Sequence, residues 1–182
     1  MGDASFHGMG ASSGARQCGV THVPRLKRYL CLRTVPADRY QEVPAVSTGA
    51  TGEFRAEISR DGSAIDWELS FSGLQAPVTQ AHIHFGQRSV IGGIVIWLCQ
   101  TATNPAPASV TALTQTCPQS GNITGTATAA NVVATAANQQ IAAGELAEVI
   151  AAIRARVAYA NVHTLVSPGG EIRGQIKASD RD

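Results

Sequence analysis

From Glu53 to Phe71 apolar and polar residues alternate at a period of two. Phe54, Ala56 and Ile58 alternate with Glu53, Arg55, Glu57 and Ser59; beyond Asp61-Gly62, Ile65, Trp67, Leu69 and Phe71 alternate with Asp66, Glu68 and Ser70. This pattern predicts a β-hairpin with one buried face. A third strand is predicted over Ala81 to Phe85, and a buried one over Ile94 to Leu98, after Gly92-Gly93. Residues 100 to 120, with Pro105, Pro107 and Pro118, read as a loop, and Ile123 to Ala129 as a further strand alternating weakly with threonines. Leu146, Val149, Ile150 and Ile153 recur at i, i+3, i+4 and i+7, which predicts one helix. Glu145 and Glu148 suit its start, and Arg154 and Arg156 its end. Val157 to Thr164 and Glu171 to Ile176 predict two closing strands around the turn Ser167-Pro168-Gly169-Gly170. About seven short strands at this spacing predict an all-β fold, a β-sandwich or Greek-key barrel with one short helical insertion. Trp67 and Trp97 lie within apolar alternations and are expected in the core.

The remaining segments set the organisation. Residues 1–35 are rich in Gly, Ser and Arg and show no sustained periodicity, so they read as a disordered or loosely ordered N-terminal leader. The domain is expected over residues 36–178, with a C-terminal tail at 179–182. Gly10-Ala11-Ser12-Ser13-Gly14 matches the G-x-S-x-G nucleophile elbow, but neither the buried strand nor the helix that the elbow needs flanks it. Ser12 is therefore not read as catalytic, and no other catalytic residue is identified. The chain of 182 residues carries a formal charge of +1, which excludes a global basic field for nucleic acid. No apolar run approaches the roughly 20 residues of a spanning helix, so no transmembrane segment is expected.

The four cysteines are Cys18, Cys31, Cys99 and Cys117, and none forms a C-x-x-C. A Cys99–Cys117 bridge would staple the proline-containing loop and stabilise it by about 3 kcal/mol on a loop-entropy argument. The alternative is two unpaired small hydrophobes. A bridge would place the protein in an oxidising compartment. The longest apolar stretch near the N-terminus is Tyr29 to Leu32, so no clear signal peptide is visible.

Three histidines fall in the predicted domain. His82 and His84, two apart on one strand, point to the same face, while Ala81, Ile83 and Phe85 point to the other. His163 shares a face of the penultimate strand with Tyr159 and Asn161. If the two strands are neighbours, three imidazoles converge, a donor set that suits copper or zinc. The alternative is a set of histidines hydrogen-bonded to backbone, Tyr159 or Glu171. There is no H-x-x-H and no Asp near His82 or His84 to complete a second metal site. Glu171, Arg173 and Gln175 share a strand face, as a salt bridge or a brace for a histidine, or simply as a solvated strand face. Asn122-Ile123-Thr124 matches an N-glycosylation sequon.

Several segments together resemble the CHRD (chordin) domain family, in its bacterial single-domain type. They are Gln41-Glu42-Val43-Pro44, Thr48-Gly49-Ala50-Thr51-Gly52, Ala81-His82-Ile83-His84-Phe85-Gly86, Tyr159-Ala160-Asn161-Val162-His163-Thr164 and Gly170-Glu171-Ile172-Arg173-Gly174-Gln175-Ile176. The resemblance implies an immunoglobulin-like β fold, distantly similar to copper/zinc superoxide dismutases, in a secreted or periplasmic protein. It also implies a binding or structural module without catalysis, whose partner is a protein or other extracellular ligand. Metal binding by His82, His84 and His163 is the alternative function, and dismutase-type redox activity a third. The chain departs from the family pattern before the Tyr159 strand, where Arg154-Ala155-Arg156 stands in place of a Gly turn. A left-handed turn at Arg156 would be strained.

Overall fold

The computed structural model describes residues 30–34 and 39–178. Eight strands run in chain order as β1 (Leu30–Thr34), β2 (Thr51–Ile58), β3 (Ile65–Ser72), β4 (Val78–Phe85), β5 (Gly93–Cys99), β6 (Gly121–Ala127), β7 (Ala158–Thr164) and β8 (Ile172–Ala178). The helix α1 (Leu146–Arg154) lies between β6 and β7. All pairings between these strands are antiparallel, in the order β5-β4-β7-β8-β1-β2-β3-β6. The ribbon forms two layers, β5-β4-β7-β8 and β1-β2-β3-β6, joined where β8 pairs with β1.

The predicted hairpin forms with Phe54 opposite Leu69 and Ile58 opposite Ile65. Its turn closes on Asp61, whose carboxylate accepts from the Ser59 hydroxyl and from the Ser63 backbone and hydroxyl. These bonds hold Asp61 below the usual carboxylate range, at about 2. The inward residues of both layers share one core: Phe54, Ile58, Ile65 and Leu69 from one, Ala81, Ile83, Val162, Ile172 and Ile176 from the other. The helix closes it with Leu146, Val149, Ile150 and Ile153. A Cβ on Gly52 would stand 2.9 Å from the Ile172 side chain, so β2 passes close against β8.

The helix ends as a Schellman motif: Val157 N–H donates to the Ala152 carbonyl and Arg156 N–H to that of Ile153. Arg156 takes the left-handed position at φ 62°, where glycine is usual. The turn is thus left-handed at a residue that strains it.

Three expectations are corrected. Leu30–Thr34, read as the end of a leader, is a strand hydrogen-bonded to both β2 and β8. It was missed because five residues carry little periodicity; two long-range partners make the strand. The rest of the proposed leader, with Cys18 and the G-x-S-x-G match around Ser12, lies outside the described residues, as does the tail at 179–182. Trp67 is buried in the core, but Trp97 is not part of it. Irregularities in the β4–β5 register place Trp97 opposite His82 and half-buried on the outer face. Finally, the face of β8 bearing Arg173 and Gln175 is not solvated. Both are buried, as is Glu171 just before the strand.

The reason is a third, polar layer over the outer face of β4, β7 and β8. Residues 39–49, the 86–92 loop and the 165–170 turn cover it. Gln175 donates to the carbonyls of Gly86 and Arg156, and Arg173 to those of Gln87 and Val90. Elsewhere, Cys99 and Cys117 form a disulfide that closes the 100–117 loop, and the Gln100 side chain spans that loop to Ala106, Thr111 and Thr114. Asn122 is exposed on the outermost strand β6 and donates to Glu68.

Candidate metal centre

The β4–β7 register decides the site. Gln80 pairs with His163, His82 with Asn161, and His84 with Tyr159. Alternation then sends Ala81 and Ile83 to the core and both β4 histidines to the outer face, beside His163. Each of the three offers a ring nitrogen within 4.8 Å of the others'. Exposure is 0% at His82 and 6% at both His84 and His163, so the group is enclosed by protein. Two surface depressions, one at the ends of β2, β3 and β6 and one beside Gln139, are lined by other residues.

Two of the rings are oriented by backbone. His84 Nδ1 lies 2.9 Å from the Gly92 carbonyl and His163 Nδ1 lies 2.8 Å from that of Pro168. A carbonyl only accepts, so both Nδ1 atoms carry the proton and both Nε2 atoms present a lone pair. His163 Nε2 faces His82 Nδ1 at 3.2 Å, which makes His82 Nδ1 the donor there. His82 Nε2 and His84 Nε2 are buried without a hydrogen-bond partner, as is Asn161 Oδ1. Burying an acceptor unpaired costs ~1–3 kcal/mol. Two of these atoms belong to the histidine group itself.

Burial holds the imidazoles neutral. His82 is lowered well below 6.5, by burial first and then by the neighbouring His163 and His84. His84 falls to about 4, again by burial, opposed by its bond to Gly92. His163 is lowered by burial and opposed by Pro168. Aromatic rings wall the group. The Trp97 ring meets His82 edge-on at 4.2 Å between centroids, and Tyr159 stacks on His84 at 4.7 Å and 3°. The Arg173 guanidinium lies 3.3 Å from the far face of Tyr159. Glu42, buried beside Arg173 and Asn161, is pushed up to about 7 by burial, against the pull of that guanidinium.

Of the supporting residues expected from sequence, Tyr159, Asn161 and Arg173 stand around the histidines. Glu171 does not brace a histidine or pair with Arg173. It accepts from Thr48, Gln75 and Thr164 instead. Sequence reasoning missed Gly92, Pro168, Glu42 and the part played by Trp97. Gly92 and Pro168 act through main-chain carbonyls, which leave no side-chain signature. The available hint was Gly92-Gly93: a Cβ on Gly92 would collide with the Phe85 carbonyl oxygen.

Set against known families, residues 34–176 match the family model described as the CHRD domain. No curated protein and no solved structure matches the chain.

Proposed function

This chain belongs to the CHRD domain family, and we propose that it is an extracytoplasmic module without catalysis whose His82, His84 and His163 hold one copper or zinc ion. The observation that carries this reading is the buried trio itself, with two rings oriented by backbone carbonyls and two Nε2 lone pairs unpartnered. Metal-bound histidines commonly donate their other N–H to a carbonyl, which fixes tautomer and ring orientation. Neutral imidazoles need no net proton release before ligation; the His82 Nδ1–His163 Nε2 hydrogen bond would open to free the third lone pair. A bound ion would supply a Lewis-acidic cross-link between β4 and β7. The enclosure of the site supports a fixed ion rather than an open reaction centre. The Cys99–Cys117 disulfide supports an oxidising compartment. A protein or other extracellular partner would meet the sheet edge at β6 or the 100–117 loop, since β5 is covered by residues 132–139.

A dismutase-type role requires further histidines and a second metal. Among the described residues the three histidines all belong to this one group, so a single-ion site is the better reading.

The test is elemental analysis of the purified chain after copper and zinc loading, beside His82→Ala and His163→Ala. One ion per chain in the wild type, lost in both variants with circular dichroism unchanged, is expected. No ion in the wild type, or equal uptake in all three, would overturn the reading and leave the histidines as a polar tie between β4 and β7.

A further inference from the structure

We infer that the ion taken by the three histidines is copper(I), in preference to zinc(II). This rests on the metal-site reading above and narrows it. The first ground is charge. The donors are three uncharged imidazoles, and among the described residues no carboxylate or thiolate joins their group. Glu171 is engaged with Thr48, Gln75 and Thr164, and Cys99 is held in the disulfide. Zinc(II) would therefore stand in the group as an uncompensated double charge, copper(I) as a single one. The cost of burying an ion rises with the square of its charge.

The surroundings sharpen that difference. Trp97 and Tyr159 line the group with aromatic surface. Behind Tyr159 the Arg173 guanidinium is pinned by the carbonyls of Gln87 and Val90, a fixed positive charge one ring away from His84. Its repulsion of the ion grows with the ion's charge. Glu42, the acid facing Arg173, is half neutral near pH 7 and offsets that charge only in part.

Coordination number separates the two ions. Zinc(II) in closed sites takes four donors, whereas copper(I) is content with three. Beyond the histidines, the buried acceptors without a partner are Asn161 Oδ1, Gln175 Oε1 and Glu42 Oε1, all oxygens. Oxygens are hard donors that zinc(II) would take as a fourth ligand and copper(I) would leave, so the donor count at the bound ion tells the two apart.

The experiment uses the full chain under anaerobic conditions. Copper(I), kept reduced with ascorbate, is titrated in competition with bathocuproine disulfonate, and zinc(II) in competition with a chromophoric chelator. One copper(I) per chain is expected, bound at least about a thousandfold tighter than zinc(II). X-ray absorption at the copper edge should show nitrogen donors only, three in number. Zinc(II) binding as tightly as copper(I), or a fourth donor at copper, overturns this inference and leaves the site standing. Failure of both ions to bind at one per chain overturns the site reading with it. The wild-type competition decides the matter without any variant having to fold.

Discussion

The Glu171 side chain ties three separate segments of the fold together, and its removal is a quantitative test. Its carboxylate is fully buried and accepts from the Thr48 hydroxyl at 2.6 Å, the Thr164 hydroxyl at 2.8 Å and the Gln75 backbone N–H at 2.9 Å. These bonds join the start of β8 to the segment before β2, the end of β7 and the β3–β4 connection. Hydrogen bonds to a charged acceptor contribute ~1.5–3 kcal/mol each. Glu171→Ala forfeits all three and strands the donors, while recovering several kcal/mol of carboxylate burial. The expected net loss is about 3–5 kcal/mol. Glu171→Gln keeps the shape. Its amide oxygen can serve the two donors now on Oε1, and the Thr164 hydroxyl can turn to accept from Nε2. That variant should lose only ~1–2 kcal/mol. Urea unfolding followed by far-ultraviolet circular dichroism, with the disulfide intact, reads both. With an m-value of about 1.5 kcal/mol/M, the midpoint falls by ~2–3 M for alanine and ~1 M for glutamine. An alanine variant within ~0.5 M of wild type, or glutamine as damaging as alanine, would refute the reasoning.

Arg156→Gly should raise stability by about 0.5–1 kcal/mol, because it relieves a left-handed residue at the helix C-terminus; an unchanged or lower urea midpoint would show that the Arg156 side chain contributes more than the strain costs. Gly92→Ala pushes a methyl group into the Phe85 carbonyl and to 2.9 Å from Gly86 Cα, which displaces the carbonyl that orients His84 and the N–H that bonds Tyr159. Metal affinity in a competition titration should fall ~10–100-fold, and wild-type affinity would remove Gly92 from the site's support. The metal-free protein should lose stability as pH falls from 6.5 through about 4. His84 is depressed in the fold, so the stability it contributes as a neutral group is present above 6.5 and disappears below about 4, on the order of 3 kcal/mol for this residue. Glu42 acts with the opposite sign: raised to about 7, it contributes stability below 4.5 that is lost as pH rises through 7. Glu42→Gln should therefore steepen the acid loss; urea midpoints from pH 7.5 to 4, the same in both proteins, would contradict this.

The strands of the core were legible because their periodicity is a local consequence of one buried face. Phe54 to Ile58, Ile65 to Phe71 and the helical spacing from Leu146 to Ile153 each state their own geometry, and the observed elements follow them closely. Alternation alone also placed His82 and His84 on one face. Where alternation was blurred the reading failed: Trp97 moved to the outer face through irregular β4–β5 pairing, which no local pattern announces.

By itself, then, the sequence determined an all-β domain, its hairpin and helix, and three histidines able to meet, and it offered Cys99 and Cys117 as a possible pair that the structure joins. Those features depend on neighbours a few residues away or on chemistry that few residue types possess. Only the tertiary structure decided that β4 lies beside β7, that Leu30–Thr34 completes the sheet between β8 and β2, and that a polar layer covers Arg173, Gln175 and the histidines. These are long-range pairings whose hydrogen bonds run largely to backbone carbonyls, at Gly92, Pro168, Gln87 and Val90. Every residue carries such a carbonyl, so its role comes from position in the fold and leaves no mark on residue identity.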